Sequence, residues 1–148
     1  MTTTITGALG IDNIKAATGA VLQVVQATYN TNFSTTSASF VDTGLTATIT
    51  PTLSTSKILV TVHQAGLTNA STNVQGNIVR DATQVSSIYT QTQVTTQAAM
   101  MMSNAYLDSP ATTSATTYKT QVLTSAGTIY FQWTGDGYST ITLMEIAG

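Results

Sequence analysis

Apolar residues along this chain recur mostly at every second position, in short runs closed by Gly, Asn, Asp, Thr or Ser. That is the period of a β-strand with one face buried. The cleanest instance is Leu45, Ala47, Ile49 and Pro51 alternating with Thr46, Thr48 and Thr50. Val21 to Tyr29 reads as a first strand, and its apolar residues on both faces imply burial on both sides. Asn30 to Ser39 reads as a polar loop. Phe40 and Val41 open a short strand that Asp42-Thr43-Gly44 turns. Lys57 to Ala65 sets Ile58, Val60 and Val62 on one face, and Gly66 closes it. After a polar loop from Thr68 to Asn73, Val74 to Val79 and Val85 to Tyr89 flank Arg80-Asp81-Ala82-Thr83, a hairpin turn. Gln97 to Leu107 and Thr117 to Leu123 are further strands. Ile129, Phe131 and Trp133 share one face of the next, Gly135-Asp136-Gly137 turns it, and Thr140 to Ile146 ends the series.

No stretch carries a convincing helical period. Eight to ten short strands separated by turns predict an all-β fold over residues 20–148, an antiparallel, jelly-roll-like β-sandwich. Residues 1–19 differ. Gly7, Gly10 and Gly19 break the segment, and Ile5, Leu9, Ile11 and Ile14 are irregularly spaced. The expectation is an extended N-terminal arm that orders by lying on a neighbour, with a frayed terminus as the alternative.

Composition sharpens the picture through its charge. At 148 residues and 42% hydrophobic, the chain can bury a real core as one domain. Charged residues make up only 7%, against roughly 25% in ordinary globular domains. About three residues in ten are Thr or Ser, which suit a pleated, half-solvated surface. Sheet edges are ordinarily protected by Lys, inward charges and Pro; here Lys15, Lys57, Lys119, Arg80 and two prolines serve the whole chain. Borders this poorly guarded are expected to be covered by other chains. A net charge of −2 with scattered cations gives no footprint for nucleic acid. No apolar run nears the ~18 residues of a membrane-spanning helix, and Met1 to Ile5 lacks the build of a secretory signal, so a soluble protein of a cytoplasm is expected.

Candidate chemistry is sparse. The absence of cysteine removes disulfides, thiolate catalysis and Cys-based metal sites. His63 stands alone in mid-strand, too little for a three-ligand metal site unless distant acids join it. Asp42, Asp81 and Asp136 fall in turns, where Asp bonds local backbone. Glu145 lies on the strand face of Ile141 and Leu143 and reads as a buried or interfacial partner. No nucleophile elbow, phosphate loop or dinucleotide motif is present. No enzyme, cofactor or metal is expected. Tyr118, Tyr130, Phe131 and Trp133 read as packing residues, with Tyr29 and Tyr138 nearer strand ends as better exposed contacts. Met100, Met101 and Met102 place adaptable sulfur side chains on both faces of one strand, for core filling or a subunit contact.

The stretch Leu107-Asp108-Ser109-Pro110-Ala111-Thr112-Thr113-Ser114-Ala115-Thr116-Thr117-Tyr118-Lys119 resembles one that recurs in bacteriophage virion proteins, especially tail-fibre tips and surface proteins of phages from aquatic bacteria. Val21-Leu22-Gln23-Val24-Val25, Ser39 to Leu45 with Ile49-Thr50-Pro51 and Ser56 to Val60, and Ser139 to Ile146 agree with it. Arg80-Asp81-Ala82-Thr83 departs from the Arg-Asp-Gly-Thr usual there. The resemblance implies a jelly-roll-like domain on a phage particle, typically trimeric and without catalytic residues. With only some twenty residues ahead of the domain, a capsid-decorating (cement) protein fits at least as well as a fibre tip. The partners expected are further copies in a homotrimer and the major capsid protein, or alternatively tail proteins and host glycan. The place expected is the virion surface, after assembly in the host bacterial cytoplasm. Ile5, Leu9, Ile11, Ile14, Met100, Met101, Met102 and Glu145 are the candidate partner contacts.

Overall fold

The structure, a computed structural model, describes residues 17–93, 96–133 and 138–148. Ten strands account for the regular structure there: β1 (Val21–Tyr29), β2 (Phe33–Thr35), β3 (Val41–Ile49), β4 (Lys57–Thr68), β5 (Thr72–Arg80), β6 (Thr83–Thr92), β7 (Ala98–Asp108), β8 (Thr116–Thr124), β9 (Ile129–Phe131) and β10 (Ser139–Ile146). One sheet, A, has the order β1-β10-β4-β9-β2 with β7 on the other edge of β4; the second, B, has the order β3-β8-β5-β6. All pairings are antiparallel.

The connectivity follows one rule. With the short β2 and β9 set aside, the first long strand pairs with the last, the second with the seventh, the third with the sixth and the fourth with the fifth. A single long hairpin with that pairing, folded so that alternate arms fall into two facing sheets, is a jelly roll. The expected antiparallel sandwich is the observed fold.

Alternation fills the space between the sheets. Leu45, Ala47 and Ile49 of β3, Ile58, Val60 and Val62 of β4, Tyr118 of β8 and Ile141 and Leu143 of β10 form one buried cluster. Val74, Met100, Met102, Val122, Ile129 and Phe131 form another. Buried hydroxyls and amides lie within the same interior: Thr43 Oγ1 and Thr120 Oγ1 are 2.5 Å apart, and Gln64 Nε2 donates to Thr43 Oγ1 at 3.2 Å. Another tie crosses from sheet to sheet. The fully buried Tyr118 hydroxyl donates to Asp108 Oδ2 at 2.7 Å, and Arg80 Nη1 reaches the same oxygen at 2.6 Å. Burial and the neighbouring carboxylate push the Tyr118 phenol well above its usual range, so it stays a proton donor.

The structure corrects several local readings. β1 is not buried on both sides: among the described residues it pairs with β10 alone, and Val21 and Val24 are more than half exposed. Its outward apolar residues line a surface. Asp42-Thr43-Gly44 is no turn but an irregularity inside the continuous strand β3, where the register slips between Asp42 and Thr46. Gly44 adopts φ +89°, and a Cβ there would lie 2.5 Å from Tyr29 Cζ; glycine both bends the strand and seats the ring. Gly66 does not close β4, which runs on to Thr68 with β7 on one side and β9 on the other. The polar loop after β1 contains β2, whose three residues pair with β9, too short a run to show a period. At Arg80–Thr83 the hairpin is as read, with Asp81 at a positive φ (52°), a conformation Asp tolerates better than most residues other than glycine. The turn read at Gly135-Asp136-Gly137 lies outside the described residues.

Gly44→Ala combines a left-handed backbone with an overpacked contact, each costing on the order of 1–3 kcal/mol. The expected loss is about 2–4 kcal/mol by urea unfolding, against a few tenths for the exposed Thr46→Ala. An unchanged midpoint in Gly44→Ala would contradict the bend as described.

Candidate assembly surface

The two outer faces of the sandwich are chemically unlike. On sheet B, outward positions of neighbouring strands form a polar lattice. Lys119 Nζ and Gln121 Nε2 each donate to Asp42 at 2.8 Å. Asn77 Nδ2 donates to Gln84 Oε1 at 3.0 Å. The Asp42 carboxyl is held below its usual value by the hydrogen bonds from Lys119 and Gln121. The Asp42 cluster is thus satisfied within the chain, while Tyr89 on the outer face of β6 is 59% exposed.

Sheet A presents the opposite. Register places Val24 beside Met144, Met144 beside Leu59 and Leu59 beside Leu107, so one apolar row crosses β1, β10, β4 and β7. Val24 is 55% and Leu107 46% exposed. Val21 and Ile146, partners in the same register, extend the row towards the end of the sheet. The next rows are Gln26–Thr142–Thr61–Ala105 and Thr28–Thr140–His63–Ser103, small and hydroxyl-bearing. They form a shallow groove lined by Thr61, His63, Ser103, Ala105 and Thr140. Beyond them Met101 is 60% exposed, and a hollow of about 290 Å³ is lined by Ala65, Leu67, Gln97, Ala99 and Trp133. Tyr130 meets Trp133 edge-on, with ring centroids 4.5 Å apart. Of Lys, Arg, Asp and Glu, only Lys57 lies on the outward positions of these four strands among the described residues.

The candidate contacts divide. Met100 and Met102, at 7% and 1% exposure, point into the core, whereas Met101 faces out. Strand alternation separates them, and no composition signal could. Glu145 is fully buried. Its carboxylate accepts from Gln23 Nε2 at 2.6 Å, Thr52 N at 2.7 Å and Thr52 Oγ1 at 2.8 Å, which ties the segment after β3 to β10 and β1. Burial pushes its pKa up, but these hydrogen bonds outweigh it and hold the group down at about 2. Ile5, Leu9, Ile11 and Ile14 lie outside the described residues. Tyr29 packs against the core cluster, and Trp133, read as a strand residue, follows β9 and is half exposed. The apolar row was missed; its trace was Val24, Leu59, Leu107 and Met144 at positions out of phase with the core residues of their strands.

Catalytic or metal-binding arrangements do not emerge among the described residues. No group of three His, Cys, Asp or Glu could hold a metal ion. Asp81 accepts from Thr117 N at 3.0 Å, and Asp42 and Asp108 are paired with Lys119 and Arg80. No helix is long and apolar enough to cross a membrane.

No protein-family model matches the chain, and no curated protein does. Among solved structures it is similar to a chain of infectious bursal disease virus, Gx strain: TM-score 0.52 and 14% identity over 97% of this chain and 37% of that one. It is also similar to the VP2 subviral particle of the same virus (TM-score 0.48, 15% identity, 97% and 37% covered) and to the T13 viral particle (0.44, 16%, 97% and 40%). This chain thus spans about two-fifths of the length of those it matches. At such identities the likeness to the Gx-strain chain is one of fold.

The Glu145 cluster makes a pH prediction. A carboxyl at about 2 in the fold and near 4.5 when unfolded stabilises fully above the unfolded value and loses this as pH falls toward 2. Urea midpoints should hold from neutral pH to about 5.5, then fall between about 4.5 and 2. Glu145→Gln should cost about 1–3 kcal/mol at neutral pH and flatten that acid limb; an unaltered limb would contradict the assignment.

Proposed function

We propose that this chain is a non-enzymatic structural component of a virion, and that it acts as a phage capsid-decorating (cement) protein. In this reading copies associate as a homotrimer and bind the outer head surface through the outer face of sheet A. The observation that carries it is the segregation of the two outer faces. One is a charge-poor sheet surface crossed by Val24, Met144, Leu59 and Leu107; the other carries the hydrogen-bonded polar cluster of Asp42, Lys119 and Gln121, with Tyr89 exposed on its β6 edge strand. A soluble particle component needs one face for neighbours and one for water, and contiguous exposed apolar surface on a folded domain marks the former. A jelly roll similar to a chain of a virus supports the class, as does the resemblance of the Pro110 stretch to phage surface proteins. The domain (residues 20–148) supplies the faces, and the arm (residues 1–19) adds further contact with neighbours.

A second reading has its own observation. The Tyr130–Trp133 pair beside the hollow at Ala65, Leu67 and Gln97 has the aromatic and amide character of a sugar-stacking platform, as a tail-fibre tip that recognises host glycan would need. In that case Trp133→Ala abolishes binding of free protein to host cells. Under the cement reading the protein does not bind cells, and a particle reconstruction finds its copies on the head.

Self-association tests the face directly. By sedimentation, Leu59→Lys should weaken it at least tenfold with little change in the unfolding midpoint, while Gln121→Lys on the opposite face leaves it intact. Because few charges take part, association should persist from low salt to about 1 M. A wild-type chain that stays monomeric at high concentration would end the proposal.

A further inference from the structure

We infer that the free edge of strand β7 pairs antiparallel with β7 of a second copy of this chain, about a two-fold axis at Ser103. The contact goes beyond the assembly reading above: it joins two copies side by side and leaves the outer face of sheet A uncovered. The first observation is a contrast among edges. Four long strands border the sheets, β1 and β7 in sheet A and β3 and β6 in sheet B. A bulge in an edge strand twists it away from would-be neighbours. β1 carries a register slip between Val21 and Gln23, β3 one between Asp42 and Thr46, and β6 one opposite Ile78 and Val79. β7 carries none from Ala98 to Asp108. It has no proline and no charge before Asp108, whose buried carboxylate is taken by Arg80. Among the described residues, β7 is the long edge left without a device against pairing.

The second observation is that the strand complements itself. One antiparallel register pairs all 11 of its residues, and it sets Ser103 opposite Ser103 of the second copy. In that register Leu107 faces Ala99 of the second copy and Met101 faces its Ala105, so each exposed large side chain meets a small one. Tyr106, also exposed at this edge, faces Met100 on the other side of the strand. The third is continuity. The row of Val24, Met144, Leu59 and Leu107 ends at this edge. Ala99 lies beside Leu67, and Leu67 beside Tyr130. Pairing carries the row of one copy from Leu107 into Ala99, Leu67 and Tyr130 of the other, and the two-fold repeats the junction. The edge is also held in place: Asn104 Nδ2 donates to Ser86 Oγ at 2.8 Å, which ties β7 to β6. A strand fixed in this way has little freedom to lose on pairing.

The chain contains no cysteine, so engineered thiols report cleanly. A disulfide needs Cα atoms within about 7 Å. In the paired edge each of Ala99 and Leu107 lies about 26 Å from its own counterpart, the length of eight extended residues. Ala99→Cys and Leu107→Cys chains, mixed and mildly oxidised, should therefore give a linked dimer that neither gives alone. Ser103→Cys should give one by itself. Ser103→Lys and Ser103→Asp set like charges across the axis; each should weaken edge association at least tenfold with the unfolding midpoint unchanged, and an equal mixture should restore it. Linkage of Leu107→Cys alone at the rate of the mixture, or opposite charges that fail to restore association, would overturn the pairing. Ser103→Cys linkage should persist in the Leu59→Lys chain. If it vanishes there, the outer face brings the copies together, the edge contact is wrong and the face reading stands. If it persists while Leu59→Lys associates as tightly as wild type, the face reading falls and the edge contact stands.

Discussion

Strand β4 is the constraint on which the molecule depends. It is paired along both edges, to β10 over Lys57–His63 and to β9 over Gly66–Thr68 on one side, and to β7 over Ile58–Thr68 on the other. A strand so held has no freedom of register, since a slip by one residue would move its whole apolar set to the opposite face. Ile58, Val60 and Val62 must therefore point inward, and Leu59, Thr61 and His63 must point out. The same register aligns Met144 and Leu107 with Leu59 on the outside. The core and the proposed contact surface are two consequences of one ladder.

Charge scarcity shapes what remains. The described acids and bases are spent mostly on tying elements together. Glu145 gathers Gln23 and Thr52, Asp108 gathers Tyr118 and Arg80, and Asp42 gathers Lys119 and Gln121. Partner-satisfied groups of this kind specify how strands and loops meet, since each would be costly to leave unpaired. Few ionic groups are left to protect the outer face of sheet A. Threonine supplies polar surface there, at Thr61, Thr140 and Thr142. A surface of this composition suits association that depends on shape and apolar contact more than on ionic strength.

Much of the fold was legible because period-two alternation is a local signal. β1, β5, β7, β8 and β10 lie close to where the pattern placed them, and the Arg80–Thr83 hairpin is where its turn residues stand. The misreadings share a cause. Gly44 and Gly66 looked like stops because glycine is a punctuator in sequence, yet one bends β3 around Tyr29 and the other lets the backbone of β9 approach β4. β2 exists only because β9 lies beside it. The candidate site was less legible. Three adjacent methionines carry no mark of which one faces out, and Glu145 is buried because Gln23 and Thr52, distant in sequence, converge on it.

By itself, the sequence determined that this is an all-β sandwich with too few charges to shield its borders, because alternation and composition are properties of the unfolded string. Only the tertiary structure decided which outward positions meet. Val24, Leu59, Leu107 and Met144 are isolated apolar residues until antiparallel pairing sets them in one row. The reason is that hydrogen-bond register, not spacing along the chain, sets side-chain neighbours in a sheet.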